Sequence, residues 1–106
     1  MPQGDLTKEI EYDKIEVVST WNIQVRKATK IMEEQSDGSK KELTRSFHRH
    51  VLQPFHSEKG EDGKWTHTAT DISGEDASVQ AIANAAWTDS VKTAYKAFME
   101  SQEQIL

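Results

Sequence analysis

The chain has no cysteine, which excludes disulfide frameworks, thiolate nucleophiles and cysteine-ligated zinc or iron–sulfur centres together. No apolar run approaches the roughly 20 residues that span a bilayer, so no membrane contact is expected. The stretch from Met1 to Ile10 lacks the basic start and apolar core of a leader, and the expected location is the cytoplasm. Hydrophobic residues make up only 35% of the 106 residues, which implies a thin core of the kind a partner often completes. Cations are outnumbered as well: 13 Lys and Arg stand against 18 Asp and Glu, for a net charge of -5. A field of that sign repels phosphate, so a surface wholly devoted to nucleic acid or to an anionic membrane is excluded.

What is present suffices for one folded domain over residues 1–106. Three Trp, three Phe and two Tyr can nucleate packing. Pro2 and Gly4 make residues 1–5 a loose tail. From Thr7 to Gln35, Ile10, Val17, Val18, Trp21, Val25, Ala28, Ile31 and Met32 fall on one side of a helical wheel, which predicts a long helix with Thr7 as cap. A competing period is also visible. Ile15, Val17, Trp21, Ile23 and Val25 alternate with polar residues, as in a half-buried strand.

Ser36-Asp37-Gly38 is a break. Ser39 and Glu42 form a capping-box pattern, so a second helix is expected to Leu52, with Leu43, Phe47 and Val51 as its buried stripe and Pro54 ending it. Phe55 to Asp71 reads as a hairpin about Gly60-Glu61-Asp62-Gly63. Ser73 and Asp76 then open a third helical stretch that breaks near Trp87. The expected fold is therefore mainly α: three long helical segments with a β-hairpin or irregular insertion (residues 55–71) between the second and third. The alternative is an α+β domain in which residues 14–26 are a strand paired to the hairpin.

Three groups of residues carry chemical interest. Lys41, Arg45 and Arg49 recur at four-residue steps with His48 beside them. On a helix they form a basic stripe opposite the apolar one, suited to an acidic protein surface or, as an alternative, to nucleic-acid phosphates. Trp21, Trp87 and Tyr95 lie on the apolar-aromatic stripes, either as core or as a face for a partner. His48, His56 and His67 lie close in sequence among carboxylates and are a weak candidate metal set, since they lack the four-residue spacing that lets two histidines share an ion. No nucleophile elbow, phosphate loop or HExxH motif is present, so no catalysis and no cofactor are expected. The function expected is a non-catalytic protein-interaction or regulatory module, acting on another protein or on itself as a homo-oligomer, through an apolar-aromatic helix face.

Overall fold

The structure, a computed structural model, describes residues 4–102. Its elements run β1 (Leu6–Val18), β2 (Asn22–Glu34), β3 (Lys40–Leu52), β4 (Phe55–Lys59), β5 (Trp65–Ala69), α1 (Ala77–Ala86) and α2 (Asp89–Ser101). The first three strands form an antiparallel sheet in the order β1-β2-β3, and β4 pairs with β5 in a separate two-stranded sheet. Strands account for 49% of the described residues and helices for 24%. This overturns the mainly helical expectation.

The correction has identifiable causes. The helix expected from Thr7 to Gln35 is β1 and β2 joined by a tight turn, in which Ser19 and Thr20 both take positive φ (55° and 77°). Two such residues in succession characterise the mirror-image turns that match hairpin twist, normally built from Asn and Gly. With Ser and Thr there, the turn left no mark in the sequence. The α+β alternative fails too, because residues 14–26 are divided between two strands that belong to the sheet with β3 and not to the hairpin.

The helix expected from Ser39 to Leu52 is β3. Leu43, Phe47 and Val51 recur every four residues, a spacing that lies on one face of a helix and equally on one face of a strand. Ser39 is not a cap: its amide and hydroxyl both donate to Asp37 Oδ1, at 2.9 and 2.5 Å, inside the β2–β3 turn, where Gly38 takes φ +87°. β4 and β5 fall within Phe55–Asp71, with Ser57 directly opposite His67 and His56 opposite Thr68. Gly63 (φ +82°) and the Asp62 carboxylate, which accepts the Lys64 amide at 3.0 Å, hold the turn between them.

The third helical stretch is two helices. Asp76, and not Ser73, caps α1 by accepting the Ser78 amide at 3.0 Å; Thr88 caps α2 by accepting the Val91 amide at 3.3 Å. Trp87 ends α1 with its amide on the Ala83 carbonyl. No helix among the described residues is long and apolar enough to cross a membrane.

By its contacts the chain forms two compact units. Unit 1 takes the N-terminal segment to Ile15 together with Val25–His50; unit 2 takes Glu16–Gln24 and the chain from Val51 onward. Unit 2 owns most of the core: Ile23, Pro54, Val79, Ala83, Trp87 and Tyr95 are buried. Unit 1 buries only Val25 and Ala28 among its described residues.

Candidate functional site

Unit 1 is a sheet with a charged face. Asp13 on β1 receives Arg26 of β2 through two hydrogen bonds, Nε to Oδ1 at 3.0 Å and Nη2 to Oδ2 at 2.8 Å. Paired guanidinium–carboxylate bonds are among the stronger polar contacts in proteins. Arg45 of β3 approaches the same Asp13 oxygen at 4.0 Å and is held by Glu42 at 2.8 Å. Lys30 binds Glu11 at 2.7 Å, and Lys40 reaches Glu9 at 3.5 Å. The Arg26 hydrogen bond, ahead of any other cause, holds the Asp13 carboxyl below its ordinary range. The same reasoning applies to Glu42, lowered by its bond from Arg45, whose own pKa is raised in return.

An aromatic ring sits among these charges. The Arg26 guanidinium lies 4.4 Å from the centroid of Phe47 and that of Arg49 lies 5.6 Å from it, both in cation–π range. Phe47 nevertheless remains 43% exposed. Strand alternation places Leu6, Ile10 and Tyr12 on the face opposite Glu11 and Asp13. There Leu6 is 61% and Ile10 52% exposed. Every residue of β3 from Lys40 to Arg49 is exposed, Leu43 included.

The basic stripe is thus rearranged. On a strand, Lys41, Arg45 and Arg49 share a face with Leu43 and Phe47, while His48 turns to the other face beside His50, with ring centroids 6.0 Å apart. Arg45 is engaged by carboxylates. The stripe is an alternating basic-apolar ladder, and not a cationic surface backed by a core.

Trp21, Trp87 and Tyr95 converge in unit 2. The Trp87 indole N–H donates to the Trp21 carbonyl at 2.8 Å, and the Trp21 ring packs edge-on against Tyr95 and tilted against Phe98, each at 5.4 Å. Tyr95 also stacks with Phe55 at 6.3 Å. Burial raises the Tyr95 phenol pKa. With Trp87 and Tyr95 buried, this cluster is mostly core, and Phe98, at 45% exposure, is its open member.

The three candidate metal ligands are not assembled. His56 and His67 occupy adjacent positions of the β4–β5 register and so point to opposite faces of the hairpin. His56 pairs with Glu58 at 2.8 Å on the surface. Among the described residues no group of three or more His, Asp or Glu is placed to hold one ion.

His67 instead sits in a line that the sequence did not announce. Ser57 Oγ lies 2.7 Å from His67 Nδ1, and Glu100 Oε2 lies 2.7 Å from His67 Nε2. The ring stacks on Trp65 at an interplanar angle of 5° and is only 9% exposed. Serine, histidine and carboxylate are the components of a nucleophilic relay. Here Ser57 and His67 are cross-strand neighbours on a hairpin and Glu100 arrives from α2, so the line fastens β4 and β5 to α2. Only the register and a helix position 33 residues further on bring the three together, and neither is a sequence motif. Comparison with known protein families, curated proteins and solved structures finds no match to this chain.

Proposed function

We propose that the chain is a non-catalytic protein-interaction module whose contact surface is the open sheet of unit 1. One observation carries this reading: an uninterrupted exposed run, Lys40–Arg49, along a strand that also presents Leu43 and Phe47 to solvent. Three strands ordinarily need a buried apolar face to be stable. Unit 1 buries two small-to-medium side chains of its own. A protein surface laid on the sheet supplies the missing burial. Leu43 and Phe47 are each a little under half exposed (47% and 43%), and covering them contributes roughly 1 kcal/mol apiece.

The basic-apolar ladder favours a protein over a nucleic acid. Arg45 is satisfied by Glu42 and Asp13, and Glu9 and Glu11 stand nearby to repel phosphate. The reading moves the contact surface from the expected helix face to the sheet, because Trp87 and Tyr95 are buried.

Site-specific photocrosslinking tests it. A photoreactive residue at Leu43 or Phe47, activated in the native cell, is expected to give a protein adduct, whether to this chain or to another. The same residue at Asn84, exposed on α1, is expected to give none. Adducts from Asn84 alone, or from neither place, would overturn the reading.

A further inference from the structure

We infer that, beyond the protein laid on its face, the open sheet takes a second copy of this chain at its edges, with β3 of one copy adding to β1 of the next. In the order β1-β2-β3, β1 and β3 each have one strand neighbour among the described residues, and both are 13 residues long. Each therefore presents an outer row of backbone N–H and C=O groups, the template on which another strand adds. Natural edges of such length are usually shortened, bulged, broken by proline or lined with charge, and of these only charge is present on both strands. Neither strand contains proline.

Charge decides which edge meets which. β1 carries Glu9, Glu11, Asp13 and Glu16 against Lys8 and Lys14, for a net -2; β3 carries Lys40, Lys41, Arg45 and Arg49 against Glu42, for a net +3. Pairing β3 with β3, or β1 with β1, sets like against like. Pairing β3 with β1 sets opposites together. Both strands run antiparallel to β2 and hence parallel to each other, so copies that follow one another without inversion bring β3 and β1 together as parallel neighbours.

The register is also specified. Full-length alignment of the two strands places Lys8 opposite Glu42 and Glu11 opposite Arg45, so that the Glu11–Lys30 and Arg45–Glu42 pairs within each copy gain an opposite charge across the joint, and no lysine or arginine meets another, nor carboxylate another, at any of the 13 positions. The face is consistent as well: Glu11 lies on the face of Asp13, and Arg45 reaches that same Asp13. Each such cross-strand pair favours association, and like charges in its place oppose it. A joint of β3 to β1 is heterologous, leaving each copy with one used and one free edge. Association therefore proceeds past the dimer to a ring or an open filament.

Charge exchange tests this with the whole chain. The variant E11K/E42K makes these positions positive on both strands; K8E/R45E makes them negative on both. Light scattering and native mass spectrometry on the wild type are expected to show assemblies larger than a dimer. Each variant alone, with its folded circular-dichroism spectrum retained, is expected to self-associate about tenfold or more weakly. An equal mixture is expected to restore wild-type assembly with alternating copies, because every joint then regains two opposite pairs.

A wild type that stays monomeric at its highest soluble concentration would overturn the inference. So would a dimer that E11K/E42K leaves untouched, which indicates pairing of like edges, or a mixture no larger than its components. In each of these cases adducts from Leu43 and Phe47 to a different protein still support the sheet as an interface, so the two readings fail separately.

Discussion

The turn joining β1 to β2 offers the most direct check on the fold. Thr20 holds φ at 77°, with Ser19 at 55° before it, and both side chains are exposed. Left-handed geometry costs a residue with a Cβ roughly 1–2 kcal/mol, and a β-branched side chain is the least suited to it. Glycine removes that cost but enlarges the conformational freedom of the unfolded chain, which takes back roughly 0.4–1 kcal/mol. Thr20→Gly should therefore stabilise the protein by a net of about 0.5–1 kcal/mol. No packing is lost, because the threonine side chain faces solvent. At about 4–8 °C per kcal/mol for a domain of this size, the melting temperature should rise by roughly 2–8 °C. Differential scanning calorimetry reads it, with urea denaturation as a second measure. Thr20→Ala keeps the Cβ and hence the strain, and should leave stability nearly unchanged. A destabilised glycine variant, or an alanine variant raised as far as the glycine one, would refute the mirror-image turn and with it the boundary between β1 and β2.

Four further outcomes follow from the same geometry. Trp87→Phe removes the indole donor from the Trp21 carbonyl; a lost bond of this kind, with its acceptor left in a part-buried place, should cost about 1–3 kcal/mol in chemical denaturation. Because the folded protein keeps Asp13 ionised to lower pH than the unfolded chain does, its contribution is full above the ordinary carboxylate range near about pH 4 and is lost as pH falls through the folded value. The stability gap between wild type and Asp13→Asn, followed by urea titration, should accordingly narrow toward acid. Tyr95 behaves in the alkaline range: with its folded pKa raised by burial, stability should decline above about pH 10, and Tyr95→Phe should flatten that decline. A double-mutant cycle between His67→Gln and Glu100→Gln should show about 0.5–1.5 kcal/mol of coupling, and additivity would mean that the clasp between the hairpin and α2 carries no energy.

The β4–β5 hairpin and the break between α1 and α2 were legible because their signals are punctuation: Gly63 at a positive φ, and Thr88 as a cap. The long sheet was hidden by a coincidence of periods. Four residues is two strand repeats and close to one helical turn, so Leu43, Phe47 and Val51 fit either element equally. Lys41, Arg45 and Arg49 repeat the ambiguity on the same strand, which is why the sequence showed basic and apolar stripes on opposite faces where the strand interleaves them on one. Ser19-Thr20 removed the remaining clue, since a hairpin normally declares itself by Asn-Gly or Asp-Gly.

A clue to the register was nonetheless present in the charges. Asp13 and Arg26 are equidistant from the Ser19-Thr20 pair, and two strands folded about that pair bring them opposite each other, as the two bonds between them record. Glu9, Glu11 and Asp13 before the turn, with Arg26 and Lys30 after it, form a pattern that a hairpin explains and a single helix does not. A helix would scatter the acids at 9, 11 and 13 around its circumference, whereas a strand lines them on one face. β3 itself carries four Lys and Arg against one Glu. Against the net -2 of β1 this gives the sheet a polarity from β1 to β3. That polarity is what the proposed joint of β3 to β1 of another copy requires.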